Sequence, residues 1–238
     1  MDVNEPVSVV FLAYNEADTI EEEISDFHKK VLSKLPGSEL IIAEDGSTDG
    51  TSEIIKKMSQ EKGIIYLEGK ERKGYAKALI DAVGIARNRY IFFSDTGLKH
   101  DPDDFWKLYE LRKDYDLIVG KKTDRRDQYY RKILTYLYNF YLRIYFNTDK
   151  IHDSDSGFRL FSKRVVDEVF KDNLRFRNFV GSEVVLRSIF KGLKYFEVPV
   201  KYYKREGTSR GIPVKSIPVQ VKRVLGDLKR LKKELNRR

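Results

Sequence analysis

Leu40-Ile41-Ile42-Ala43-Glu44-Asp45-Gly46-Ser47-Thr48-Asp49-Gly50-Thr51 is the stretch on which the fold turns. Four apolar residues form a run too short for a helix, and they end on two acids and a glycine-rich turn. A helical pattern follows over Thr51–Glu61. The same order recurs on both sides. Val7–Leu12, Ile64–Leu67, Tyr90–Phe93 and Leu117–Val119 read as buried strands, and Ala17–Leu35, Tyr75–Arg87 and Pro102–Lys113 read as helices. Strands alternating with helices predict an α/β fold with a mostly parallel central sheet covered by helices on both faces. Right-handed crossovers then gather the loops that follow the strands on one edge, where open sheets bind ligands.

Those loops hold Tyr14-Asn15-Glu16, Glu44–Gly50 and Ser94-Asp95-Thr96-Gly97-Leu98-Lys99-His100. Asp49 or Ser47 could serve only to cap the next helix, but capping does not explain acids in all three loops. Neither a dinucleotide fingerprint nor a P-loop is present. The chain of 238 residues has no cysteine and three histidines without zinc-protease spacing, which excludes thiolate chemistry and disfavours a zinc hydrolase. Met1–Pro6 lacks the basic start of a signal peptide, and no apolar run reaches the ~20 residues of a membrane span. The net charge is +9, and residues 201–238 alone carry 13 basic and 3 acidic side chains. A near-neutral body thus bears a basic C-terminal arm suited to a phosphate-rich surface.

In the second half, Tyr129–Phe146 reads as an aromatic-rich helix with basic residues before it. Asp153–Arg159 is a polar loop leading into a short strand at Leu160–Phe161. Helices at 163–171 and 180–191 follow, then strands Tyr195–Val200 and Lys201–Tyr203 broken near Pro199.

Taken together, Val9–Glu16, Glu44–Thr51, Arg72-Lys73-Gly74-Tyr75-Ala76 and Asp95-Thr96-Gly97 resemble the family-2 glycosyltransferases with the Rossmann-like GT-A fold. Asp155-Ser156-Gly157-Phe158-Arg159, Glu197-Val198-Pro199-Val200 and Arg205-Glu206-Gly207-Thr208-Ser209-Arg210 resemble the polyprenol (dolichol) phosphate mannose and glucose synthases within that family. The resemblance implies a GT-A domain over residues 1–207, and the helical spacing and charge of the remainder read as a basic amphipathic extension over 208–238. It also implies inverting transfer of mannose or glucose from GDP-mannose or UDP-glucose to a polyprenyl phosphate. Attachment to the cytoplasmic face of the membrane would be peripheral, with no nucleic acid partner.

The resemblance assigns donor binding to Tyr14, Glu16, Glu44, Asp45, Lys73 and Asp95. Asp95, Lys99, Asp155 and Arg159 are the candidate catalytic residues, and Glu183 is a further acid expected near sugar or acceptor. A phosphate acceptor is already largely ionised at neutral pH, so it asks for positioning by cations rather than for a base. Arg125, Arg126, Arg131, Arg159, Arg205 and Arg210 are the candidates, because a guanidinium can hold two phosphate oxygens at once.

Two departures stand out. The family's Asp-x-Asp pair, often followed by Gln, holds magnesium or manganese on the donor diphosphate. Here those positions read Asp95, Gly97 and Lys99, and Glu44 replaces the usual Asp. Asp95 is therefore the one metal ligand expected. Three readings stay open: Lys99 takes over charge neutralisation, Lys99 faces solvent beside a weakly held metal, or catalysis is impaired and the chain only binds. A hydroxyl acceptor with Asp155 as base is the alternative reaction. Tyr129–Phe146 is expected either on a membrane surface or buried in the core. Ile217–Leu235 is expected to dock on the body or on the membrane.

Overall fold

A computed structural model describes residues 4–123, 129–171, 174, 179–203 and 216–237. The elements are β1 (Val7–Ala13), α1 (Ile20–Lys30), β2 (Glu39–Glu44), α2 (Thr51–Lys62), β3 (Ile65–Leu67), α3 (Tyr75–Ile85), β4 (Tyr90–Asp95) and α4 (Phe105–Glu110). They continue with β5 (Leu117–Thr123), α5 (Tyr129–Phe146), β6 (Phe158–Ser162), α6 (Lys163–Val165, running on as a π turn to Phe170), α7 (Val180–Phe190), β7 (Tyr195–Lys201) and α8 (Ile217–Leu235).

The described strands form one sheet in the order β3-β2-β1-β4-β6-β5-β7. All neighbouring pairs are parallel except those of β6, which runs antiparallel between β4 and β5. The alternation of side chains along β1 shows how the sheet makes two cores. Val10 and Leu12 point to the side covered by α3, α5, α7 and α8. Val9, Phe11 and Ala13 point to the side covered by α1, α2 and α4. Burial on both faces accounts for the unbroken apolar runs of the central strands.

The chain adds strands outward from β1 to β3 and then returns to place β4 on the other side of β1. This reversal opens a crevice at the carboxyl ends of β1 and β4, the usual ligand position in such sheets. Two sequence expectations are corrected. Pro199 does not break a strand: β7 runs unbroken through it, with Pro199 opposite Lys121. Because β7 is the edge strand, a missing N–H is tolerated there. Helix α1 starts at Ile20 rather than Ala17, because the amide groups of Glu16 and Ala17 are bound to the neighbouring loop.

Candidate active site

The first two loops are stitched together by short polar side chains. Asn15 takes a positive φ of 54°. Its N–H donates to Ser47 Oγ (2.8 Å), and its Oδ1 accepts from the Thr48 N–H (2.8 Å). The Glu16 N–H donates to Thr51 Oγ1 (2.7 Å). Asp49 accepts from the Ala17 N–H (3.1 Å) and from both the N–H (3.1 Å) and hydroxyl (2.5 Å) of Thr51. Burial works against the Asp49 charge, but these hydrogen bonds outweigh it and hold the pKa below the ordinary value. Asp49, just before the Gly50 N-cap, thus holds the first residue of α2 and ties the approach to α1 to it.

Glu44 and Asp45 are buried and do the same work for the segment 68–74. The Glu44 carboxylate accepts from the N–H groups of Ser47 and Gly69. Asp45 Oδ1 accepts from the N–H of Lys73 (2.6 Å) and of Gly74 (2.9 Å). A Cβ on Gly69 would lie 2.3 Å from the Glu44 carbonyl oxygen, so backbone meets backbone and glycine is required. This contact carries Arg72 over Tyr14, its guanidinium 4.1 Å from the ring centre. A cation on an aromatic face is worth ~0.5–1 kcal/mol at an exposed site. Glu16 is buried nearby, with Thr19 Oγ1 at 3.3 Å from its carboxylate. The Lys73 side chain is exposed.

Asp95 ends β4. Its N–H donates to the Gly157 carbonyl (2.7 Å), and the Tyr75 hydroxyl donates to its Oδ1 (3.2 Å). A Cβ on Gly157 would fall 2.1 Å from Asp95 Cγ, so this glycine makes the room for the carboxylate. Burial opposes the Asp95 charge, but Lys99 and Lys122 prevail and keep its pKa below the ordinary carboxylate value. Lys99 Nζ stands 4.0 Å from Asp95 Oδ2. The intervening turn has positive φ at both Gly97 (96°) and Leu98 (51°). It is held from behind by Glu23 of α1, which accepts from the N–H of Gly97 (2.7 Å) and of Leu98 (3.4 Å). In front, the Tyr203 N–H donates to the Lys99 carbonyl (2.8 Å). His100 packs between Phe158 and Tyr202, and burial pushes its pKa down to about 3, so it is neutral at physiological pH.

The loop before β6 is clamped from several elements. Glu197 Oε1 accepts from the N–H groups of His152 (2.7 Å) and Asp153 (3.0 Å) and from the Tyr195 hydroxyl (2.5 Å). The Ser154 hydroxyl donates to Asn139 of α5 (2.8 Å) and contacts Ser182 of α7 (2.9 Å). Asp155 projects to the solvent side of this crowded loop. Desolvation raises its pKa, with Asp153 and Asp95 adding to the rise and Lys122 and Arg159 opposing it.

Asp95 and Lys99 thus pair at the end of β4, with Asp155 close enough to feel the Asp95 charge, and the loops that carry Glu16, Glu44 and Asp45 lie on the same sheet edge. Arg159 is placed differently. It is buried, and all three of its guanidinium nitrogens donate to backbone carbonyls, of Ser156 (2.5 Å), Gly181 (2.8 Å) and Ser154 (2.9 Å), which makes it a clamp on the loop. Arg131 lies on α5, its Nε donating to the Tyr130 hydroxyl (3.2 Å). Arg125, Arg126, Arg205 and Arg210 lie outside the described residues, as does the boundary at 207/208. Glu183 is engaged within the core rather than presented to the crevice. It is fully buried in an ion pair with Arg187 (2.7 Å), which also binds Glu234 of α8 (2.9 Å). This bridge, with Leu228 and Leu231 buried, docks the C-terminal half of α8 on the body.

Sequence reasoning missed a second polar region. Lys121 and Lys122 of β5, Lys132, Thr135 and Tyr136 of α5, and His152 and Asp153 line an open cavity of about 410 Å³. Lys122 Nζ is 3.2 Å from Asp153 Oδ1. Above the cavity α5 exposes Tyr129, Ile133, Tyr136, Leu137, Phe140 and Ile144, one apolar stripe at helical spacing. Its opposite face, with Leu142 and Phe146, is buried in the core. The helix is therefore not buried all round. Among the described residues no helix is long and apolar enough to cross a membrane.

The family model for glycosyl transferase family 2 matches residues 8–170. The chain belongs to this family of glycosyltransferases. MJ1222 of Methanocaldococcus jannaschii is 30% identical over 222 residues, 87% of this chain and 86% of its own length. Glycosyltransferase AglD of Haloferax volcanii is 31% identical over 212 residues, 85% of this chain, yet the chain spans only 34% of AglD. Among solved structures, mannosyltransferase PcManGT of Pyrobaculum calidifontis, in complex with GDP-Man and Mn2+, has a TM-score of 0.62 at 17% identity, covering 88% of this chain and 59% of that one. Glucosyl-3-phosphoglycerate synthase of Mycobacterium tuberculosis, with Mn2+, UDP-glucose and phosphoglyceric acid, has a TM-score of 0.70 at 20% identity, covering 95% and 79%. These likenesses show the GT-A fold.

The side chains of this chain fit such a metal poorly. Among the described residues no group of three or more Asp, Glu, His or Cys side chains is arranged to hold a metal ion. Magnesium and manganese want several oxygen ligands. At this turn Gly97 offers no side chain, and Lys99 sets an ammonium 4.0 Å from the one carboxylate, Asp95.

Proposed function

We propose that this chain is an inverting glycosyltransferase that moves a sugar from a nucleotide diphosphate donor, GDP-mannose or UDP-glucose, to a polyprenyl phosphate. The observation that carries this reading is the cavity of Lys121, Lys122 and Lys132 at the foot of the exposed apolar stripe of α5. A lipid phosphate has both chemistries: an anionic head for the lysines and an apolar tail for the stripe. Lysine is a compact charge with three donors, well suited to a phosphate.

The donor lies across the crevice of β1, β2 and β4. Glu16 and Asp45 face the nucleoside, Arg72 and Tyr14 wall the site, and Asp95 orients the sugar. Asp155 feels the charges of both Asp95 and Lys122, which fits a place between donor and cavity. An acceptor phosphate oxygen attacks the anomeric carbon while the bond from that carbon to the diphosphate oxygen breaks, and the electron pair leaves with the nucleoside diphosphate. The attacking oxygen carries no proton, so no base is needed. Arg159 acts as a positioning residue, holding the Asp155 loop. The exposed stripe and the basic α8 support peripheral attachment at the cytoplasmic face of a membrane.

The test is the pair of charge reversals Lys121→Glu and Lys132→Glu. Each raises KM for a polyprenyl phosphate about tenfold or more while KM for the nucleotide sugar stays constant. Unchanged acceptor KM in both variants contradicts the assignment. A hydroxyl acceptor is the second reading, favoured by the raised pKa of Asp155, which suits a base. It requires that Asp155→Asn abolish transfer to a glycan hydroxyl.

A further inference from the structure

We infer that Lys99 is the cation that meets the donor diphosphate, so that nucleotide binding by this chain needs no divalent metal. The inference rests on the reading that the crevice takes a nucleotide diphosphate sugar. Lys99 is held in a fixed position. Its ammonium points into the crevice, 4.0 Å from Asp95, with under a quarter of the side chain exposed. Its backbone is fixed on both sides, by Glu23 behind the Gly97–Leu98 turn and by the Tyr203 N–H on its own carbonyl. A lysine on so constrained a turn is a preorganised charge, not a solvated one.

The turn itself argues in the same direction. Gly97 has φ of 96°, a conformation that side chains with a Cβ rarely adopt. A second acid at this position would be strained, so the turn as folded is suited to glycine rather than to a ligand. A divalent ion on Asp95 would also meet the Lys99 ammonium at contact range, and two cations repel strongly in a site partly closed to water. The diphosphate, by contrast, brings negative charge that both Lys99 and the nearby Lys122 attract. During transfer the leaving diphosphate oxygen gains charge as the bond to the anomeric carbon breaks. The Lys99 ammonium screens that charge without giving up its proton, so the balance of atoms and electrons needs no further reactant.

The experiment is calorimetric binding of GDP and of UDP to the full chain, in excess EDTA and again with saturating Mn2+. The wild-type chain is expected to bind one of them with affinities that agree within about twofold in the two conditions. Lys99→Gln is expected to lose about tenfold or more in EDTA, the scale of one charge-assisted hydrogen bond, and Lys99→Arg to retain most of the affinity. Wild-type binding that appears only with Mn2+ overturns the inference and leaves the nucleotide-sugar reading intact. Binding in EDTA that Lys99→Gln does not weaken also overturns it. Wild-type binding of neither nucleotide in either condition overturns the nucleotide reading and the inference with it. The wild-type comparison stands even if a variant fails to fold.

Discussion

Glu23→Gln is expected to stabilise the protein above neutral pH. Glu23 is 2% exposed, and burial raises its pKa from 4.5 to about 7, against the pull of the Gly97 and Leu98 N–H groups and of Lys99. In the unfolded chain the carboxyl loses its proton near its ordinary value, whereas in the folded chain it holds the proton to about pH 7. Between these values the folded state binds more protons. Stability therefore falls as pH rises through that window and levels off above it. At ~1.4 kcal/mol per pH unit the loss is ~3 kcal/mol. Glutamine keeps an oxygen that can accept from both N–H groups but buries no charge. Glu23→Gln should equal wild type near the acidic end of the window and exceed it by ~2–3 kcal/mol at about pH 8, some 4–12 °C in Tm for a chain of this size. Urea unfolding of both proteins at about pH 5 and pH 8 measures this directly, and other titrating groups cancel in the difference. If Glu23→Gln is no more stable than wild type at the higher pH, the ionised carboxylate gains more from Gly97, Leu98 and Lys99 than burial costs it, and the reasoning fails.

Three other outcomes follow from the geometry. Gly157→Ala should lower kcat/KM for the nucleotide sugar about tenfold or more while costing ~1–3 kcal/mol of stability, because the new Cβ lands 2.1 Å from Asp95 Cγ; steady-state kinetics that match wild type would contradict this. Arg159→Leu strands three carbonyls that now share one guanidinium, and urea unfolding should show a loss of at least ~3 kcal/mol; a loss under ~1 kcal/mol would mean that water replaces the side chain. Leu137→Ser with Ile144→Ser removes two exposed apolar side chains of the α5 stripe, and co-sedimentation with anionic vesicles should weaken about tenfold or more; unchanged sedimentation would take the stripe out of membrane contact.

The strands of the first half were legible because a sheet covered on both faces leaves continuous apolar runs such as Val7–Ala13. The acids of the carboxyl edge were legible for a related reason: no other part of such a fold needs Glu16, Glu44, Asp45 and Asp95 at the ends of strands. Their local work was not. Glu44 and Asp45 take N–H groups from a segment about 25–29 residues away, a pairing that no local pattern records. The antiparallel direction of β6 is likewise set by partners far off in sequence. Arg159 and Glu183 show the commonest difficulty. A charged residue in a motif or on a helix looks available until its burial and its carbonyl or ion-pair partners are known. The cavity of Lys121, Lys122 and Lys132 joins the end of a strand to the first turn of a helix, so these lysines read separately as ordinary surface charge.

The most direct test of the proposed activity is transfer of labelled sugar from GDP-mannose and from UDP-glucose, in parallel, to a polyprenyl phosphate, a glycan hydroxyl and phosphoglycerate. The expected result is labelled polyprenyl phosphate sugar from one donor and no product with the other two acceptors. Product on the glycan or on phosphoglycerate alone, with none on the lipid phosphate, would contradict the assignment of the acceptor to the lysine cavity.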